Sequence, residues 1–281
     1  MLPITTIALN EYKQRYESYF PDIYNDAEKM YKLSVAPHID SGIEGANVPF
    51  DMTLEAEALG CKIDLRSGDL TPEVSETPFK ELEDIRVPEN FPVTGRITTF
   101  LETIDLIRSY FPDLPIICGV VGPFTLLGQI IGIEKLLKIL KSELFKIEDV
   151  LEILCEAEIE FIKLIEEHDV DSIVVCEPSC TSDLLDPNIF RDIVLSELEV
   201  LALNIESLSV LHICGDTNPI IRDMLSVGYD AISFEDAVDV KDAYNIRKSI
   251  SSNTKLCGNV ATNTLLNSSI DEVEKEAVYA L

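Results

Sequence analysis

The run "LHICGD", residues 211–216, places His212 two residues before Cys214. Alternate side chains of a strand share a face, so an imidazole and a thiol would point the same way, just where Gly215-Asp216 ends an apolar stretch. One nitrogen and one sulfur donor make half of a soft metal site, and zinc is its commonest occupant. A catalytic zinc takes three protein ligands and keeps one position open. The same spacing also suits a hydrogen-bonded core histidine beside a buried cysteine, so the pair alone leaves both readings open. Glu235, in "SFEDA", falls at the end of the next apolar run. It is the nearest further donor, or else a solvated acid opening a loop. Cys176, Glu177 and Cys180 cluster in "VCEPSC", where Cys180 follows a proline and would face the site. Cys257 lies in the apolar run "LCGNV", for which packing is the better account. Cys61, Cys118 and Cys155 read as packing, and His38 and His168 as structural or surface residues.

These residues need a scaffold, and the chain supplies one by alternating short apolar runs with amphipathic helices. Strands are expected at Pro3–Leu9, Ala46–Phe50, Ile116–Val121, Ser172–Cys176, Ser209–Cys214, Ala231–Phe234 and Lys255–Val260. They are continuous apolar runs more than alternating ones, as strands buried on both faces are. The clearest helix is Ile147 to Ile165, with an apolar stripe opposed by glutamates. Asp186-Pro187 reads as an N-cap and first helical position. Shorter helices are expected over Thr217 to Val227, Asp239 to Ile250 and Ile270 to Leu281.

Alternating strands and helices imply a parallel sheet, doubly wound or closed as a barrel. No Gly-x-Gly-x-x-Gly follows the first strand and no phosphate-loop signature is present. Polar residues collect at the C-terminal ends of the strands: Asp51, Glu177, His212 with Cys214, Glu235 and Asn259. A (β/α)8 barrel of TIM type offers such a converging face to a substrate, and is the expected α/β fold. One domain, 1–281, is expected, with a proline-punctuated excursion over about 52–95 that carries a short hairpin around "GCKIDLRSGD" and folds over the catalytic face.

Composition bounds the partners. The chain of 281 residues carries 51 acidic against 22 basic side chains, a net charge of −29. Such a surface is repelled by phosphate backbones and anionic membranes, so neither nucleic acid nor membrane is an expected partner. The seven cysteines, an odd number mostly inside apolar runs, read as reduced thiols and not as a disulfide framework. No apolar run is long enough to span a bilayer, and a cytoplasmic protein is expected.

The stretches "NVPFDMTLEAEALGC" (47–61), "GVVGPFTLLGQIIG" (119–132), "LHICGDTNPIIRDM" (211–224), "AISFEDAVDV" (231–240) and "GNVATNTLL" (258–266) together resemble the uroporphyrinogen decarboxylase superfamily, and within it the methylcobamide:coenzyme M methyltransferase branch. The resemblance implies a (β/α)8 barrel in which His212 and Cys214 bind zinc and the zinc binds the thiol of coenzyme M. The thiolate then takes a methyl group from the cobalt of a partner corrinoid (cobalamin) protein, with cob(I)amide as leaving group. Asp51, Glu177 and Glu235 are the candidate catalytic acids. Gly122, Pro123, Phe124 and Asn259 are the candidate substrate-binding residues, although a purely structural βα turn accounts equally well for the first three. Asp51 matches the decarboxylases' essential aspartate, but "LPITTIALNEYKQRY" lacks their arginine signature.

The resemblance also implies a helix before the first strand and a third zinc ligand, a cysteine in a Gly-Cys-Gly segment after the eighth strand. The chain is expected to lack both. A truncation, a divergent paralogue with altered metal chemistry, and a second chain that completes the site are the three explanations. Self-association through the edges of the first and seventh strands is expected in each. Two rivals to methyl transfer remain: porphyrinogen decarboxylation around Asp51, and a catalytically dead paralogue that binds a corrinoid protein.

Overall fold

A computed structural model describes residues 13–66, 71–140 and 142–281. The strands are β1 (Ala46–Val48), β2 (Lys62–Asp64), β3 (Glu73–Glu76), β4 (Ile116–Val121), β5 (Ser172–Cys176), β6 (Leu208–His212), β7 (Ala231–Ser233) and β8 (Lys255–Cys257). Six of them form one sheet in the order β1-β4-β5-β6-β7-β8. Every pairing in that sheet is parallel. The fold is α/β of the TIM-barrel type. The expected strand at Pro3–Leu9 lies outside the described residues.

Strands β4 and β5 are interior to this order, and neither "IICGVV" nor "SIVVC" contains a charge, so each tolerates cover on both faces. Four strands, β1, β6, β7 and β8, are shorter than their apolar runs suggest, β7 by the single residue Phe234. The first ends at Val48 because Pro49 has no N–H to donate to a ladder. Strand β6 starts at Leu208 and its ladder ends at His212, two residues before Cys214. The last ends at Cys257 because Gly258 turns the chain at φ +132°, where a Cβ would stand 2.7 Å from the Phe234 carbonyl oxygen.

The helices between them are α1 (Ala27–Ser41), α2 (Leu54–Ala58), α3 (Ile97–Tyr110), α4 (Pro123–Ile131), α5 (Ile133–Ile139), α6 (Leu144–Glu166), α7 (Leu195–Asn204), α8 (Ile221–Met224), α9 (Val240–Ser249), α10 (Thr262–Asn267) and α11 (Ile270–Ala280). Asp186 does cap a helical run, accepting from the Asn188 N–H, and that run passes through a π-helical segment at Phe190–Val194 before α7. Asp239 likewise caps α9 through the Lys241 N–H. Among the described residues no helix is long and apolar enough to cross a membrane.

The excursion contains the hairpin β2–β3, antiparallel. Its second strand begins at Glu73, beyond "GCKIDLRSGD", whose described residues, 60–66, contain the first strand, Lys62–Asp64. One apolar core runs through the sheet and its helices. A small satellite of Ile23, Tyr24, Met30, Leu33 and Phe50 packs beside it.

Register fixes the rim of the site. Val121, Cys176, His212, Ser233 and Cys257 are successive partners across β4 to β8. Partners in a parallel sheet share a face. Beyond this row the main chain keeps bonding: Gly122 N–H to Cys176 O, Glu177 N–H to His212 O, Ile213 N–H to Ser233 O and Phe234 N–H to Cys257 O.

Candidate active site

His212 is 5% exposed at the end of β6, and its Nδ1 lies 3.1 Å from Ser233 Oγ. Burial disfavours its charged form and pushes its pKa down to about 4, so the ring is neutral at physiological pH. Cys214, two residues on, is half-buried, and burial together with the nearby Glu235 carboxylate raises its thiol pKa. Glu235 accepts from the Gly215 N–H at 3.0 Å and so fixes the turn after the thiol. Asp183 holds the next residue through the Asp216 N–H at 3.1 Å. Asn259 donates from Nδ2 to the carbonyl oxygens of Glu235, at 3.1 Å, and Val238, at 2.5 Å. It therefore ties the loop after β8 to the loop after β7.

Glu177 is completely buried and clamps the start of α4. Its Oε1 accepts from the Phe124 N–H at 2.9 Å, and its Oε2 from the Thr125 N–H at 2.9 Å and the Thr125 hydroxyl at 2.6 Å. Burial still dominates and raises its pKa to about 7, against the opposing pull of those donors. A Cβ on Gly122 would come within 2.3 Å of the Glu177 side chain, so only glycine lets the two elements close. Pro123 and Phe124 are buried with them. The Gly122-Pro123-Phe124 turn and Glu177 are thus one unit, in which the helix N-terminus binds the protein's own carboxylate.

Asp51 is 4% exposed and fully engaged. Its Oδ1 accepts from the N–H and hydroxyl of Thr53, both at 2.7 Å, and its Oδ2 lies 2.5 Å from Arg96 Nη1. Arg96 also donates through Nη2 to Thr53 Oγ1 and through Nε to Glu57. The arrangement is that of an anchor: it ties the end of the excursion back to its beginning.

The remaining sulfur and imidazole groups are scattered. Cys180 is 1% exposed, and its Sγ lies 3.7 Å from Glu177 Oε2. Cys176 is buried, and Cys257 half-buried. His38 contacts the Ile43 carbonyl oxygen and His168 the Asp105 carboxylate. Among the described residues no three His, Cys, Asp or Glu side chains surround one point as a metal site would require. His212 and Cys214 are a neutral imidazole and an accessible thiol on one strand end, which fits two of a zinc ion's ligands.

The family described as uroporphyrinogen decarboxylase (URO-D) matches residues 1–281. The chain belongs to the uroporphyrinogen decarboxylase family. A methylcobamide:CoM methyltransferase (MtaA) of Methanosarcina barkeri is 33% identical over 99% of this chain and 82% of its own length. A methylcobamide:CoM methyltransferase (MtbA) of Methanosarcina mazei is 33% identical over 80% of this chain and 68% of its own length. The solved structure of a methyltransferase from Methanosarcina mazei superposes with a TM-score of 0.91 at 32% identity, covering 96% of this chain and 80% of that one. A B12-independent methionine synthase from Shewanella shares the fold alone, with a TM-score of 0.60 at 18% identity. Within the family the chain belongs to the methylcobamide:coenzyme M methyltransferase branch, and it is a methyltransferase.

Three residues of this family member carry structure that the sequence reading passed over. Arg96 is one. Glu55 in α2 is 2% exposed, accepts from the Val121 N–H at 2.8 Å and has its pKa raised by burial to about 7. Glu158 in α6 is completely buried, neither of its carboxylate oxygens has a hydrogen-bond partner, and burial followed by Glu55 and Glu177 raises its pKa well above the ordinary range. A signal for Glu158 does exist: it stands four residues after Leu154 and three before Phe161, inside the apolar stripe.

Proposed function

We propose that the chain transfers a methyl group from a methylated corrinoid protein to a small thiol of the coenzyme M kind, with His212 and Cys214 as two protein ligands of a zinc ion. The observation that supports this most directly is the pairing, at the C-terminal end of β6, of an imidazole kept neutral by burial with a thiol that is only half-buried. Neutral imidazole and thiolate are the protonation states a metal takes from these side chains. When bound, zinc would supply the positive charge that keeps Cys214 and an incoming thiol deprotonated beside Glu235.

The chain's other residues hold the rim still. Glu235 and Asp183 accept from the Gly215 and Asp216 N–H groups, which fixes the backbone that carries Cys214. Glu177 holds the Gly122–Thr125 turn at the next strand ends. Methyl transfer between two bound partners depends on such pre-set geometry. The corrinoid protein would dock over the C-terminal face of the sheet, where β5 to β8 end. Decarboxylation around Asp51 finds less support, because Arg96 and Thr53 occupy both of its carboxylate oxygens.

The test is metal content by mass spectrometry on the purified chain and on His212→Ala/Cys214→Ala, beside an absorbance assay of methylcobalamin with 2-mercaptoethanesulfonate. About one zinc per chain and methylcobalamin demethylation are expected in the wild type. Both should be lost in the double variant. Demethylation that survives loss of the metal would refute the reading.

A further inference from the structure

We propose that the cleft between the β2–β3 hairpin and α4 binds a primary ammonium group carried on a short alkyl stem. The cleft has a volume of about 330 Å³, at the small end of ligand sites. Its lining comes from the hairpin and from segments that follow β1, β4 and β5. Neither His212 nor Cys214 is part of it, so the assignment does not depend on the methyl-transfer reading.

The hydrogen-bonding capacity left in this lining is weighted toward acceptors. Gln129 Nε2 donates to the Met52 carbonyl at 2.8 Å, which sets the amide's orientation. Its Oε1 is then a buried acceptor with no partner among the described residues, a costly state unless a donor arrives. Thr53, 3% exposed, gives its hydroxyl proton to Asp51 Oδ1 at 2.7 Å and accepts from Arg96 Nη2 at 2.8 Å. Thr125, 4% exposed, gives its own to Glu177 Oε2 at 2.6 Å and accepts from the Ser179 N–H at 3.2 Å. A hydroxyl has one proton and two lone pairs, so each threonine keeps a lone pair and no proton. The donors that remain on lining side chains are the Ser179 hydroxyl, which can equally accept, and the second proton of Gln129 Nε2.

An anion is poorly received here. The Phe124 and Thr125 N–H groups that would meet it at the start of α4 are held by Glu177, and Pro123 has no N–H. The single charged side chain in the lining is the Glu73 carboxylate, which pairs with Arg66. Arg96, which donates to Thr53, is balanced by Asp51 and Glu57. An ammonium carries three donors and no acceptor, and so matches Gln129 Oε1 and the two threonine oxygens in number and in kind. The net charge of −29 adds attraction for a cation. Pro72, Val74 and Ile133 complete the lining with apolar surface, against which an alkyl stem can lie. A ligand held this way bridges the hairpin to α4.

Saturation-transfer NMR titrations on the whole chain test this, in about 0.15 M salt to screen the acidic surface. n-Butylammonium should bind, and butane-1-sulfonate, with the same stem and the opposite charge, should not. Gln129→Met, which keeps the size and removes the acceptor, should weaken n-butylammonium about tenfold. Gln129→Glu, which places a charge at the same point, should bind it more tightly than wild type, and this variant decides if Gln129→Met fails to fold. The peptide acetyl-Gly-Lys-Gly-amide separates two sources of the ammonium. Binding of the peptide as well assigns the cleft to a lysine of a partner protein, and binding of n-butylammonium alone assigns it to a free amine. Sulfonate binding equal to ammonium binding would overturn the proposal, as would no n-butylammonium binding or an affinity unchanged in the Gln129 variants.

Discussion

Arg96 Nη1 lies 2.5 Å from Asp51 Oδ2, across 45 residues of sequence, and both side chains are nearly inaccessible to water. The pair closes the excursion between them onto the strand-end face. Removing one partner of a buried ion pair costs about 3–5 kcal/mol, because the other charge is left uncompensated. Arg96→Leu should therefore lower the urea unfolding free energy by that order. Asp51→Asn in the same chain should return part of it. A loss below about 1 kcal/mol in Arg96→Leu would show that Asp51 finds water instead.

Gly122 and Glu177 form the second tie. Gly122→Ala drives a methyl group into the Glu177 side chain at 2.3 Å, an overpacking that should cost about 1–3 kcal/mol. Adding Glu177→Ala to it should cost clearly less than the sum of the single changes, because the clash and the clamp involve the same atoms. Strict additivity in urea titrations would mean that the two residues do not bear on one another.

Glu158 makes stability depend on pH. Its folded-state pKa is raised, so its contribution is most favourable below the unfolded value near 4.5 and is progressively lost as pH rises above that. Glu55 and Glu177, raised to about 7, act with the same sign between pH 4.5 and 7. These three groups accordingly make wild type unfold at lower urea at pH 8 than at pH 5. Glu158→Gln, which cannot ionise, should be more stable than wild type at pH 8 and differ little from it at pH 4.5. A variant weaker than wild type at pH 8 would mean that the carboxylate has a partner there.

Asn259 binds two carbonyl oxygens from one amide. Asn259→Ala should cost about 1–3 kcal/mol in stability and free the turn that carries Glu235. Methylcobalamin demethylation should then fall in rate more than in thiol affinity. An unchanged rate would confine Asn259 to a structural role.

The sheet was legible where burial on both faces leaves no alternative. The runs 116–121 and 172–176 became strands with those bounds because they contain nothing that needs water. Strand ends were less legible, since an apolar run continues past the ladder until a proline or a positive φ stops it, as at Pro49 and Gly258. His212 and Cys214 were readable because i and i+2 is a local relationship. Arg96 with Asp51 and Glu177 with the α4 turn were not, because a pairing over 45 or 53 residues leaves no local trace. The family resemblance pointed to these strand ends without saying which of their carboxylates already hold partners within the protein.

The main-chain bonds past the ends of β4 to β8 involve no side chain: Gly122 to Cys176, Glu177 to His212, Ile213 to Ser233 and Phe234 to Cys257. A frame closed by peptide groups tolerates replacement of the residues mounted on it wherever, unlike at Gly122, there is room for the new side chain. Side chains on this frame are therefore free to diverge, and an ancestor built this way could exchange one chemistry for another at the same strand ends without first relearning how to fold.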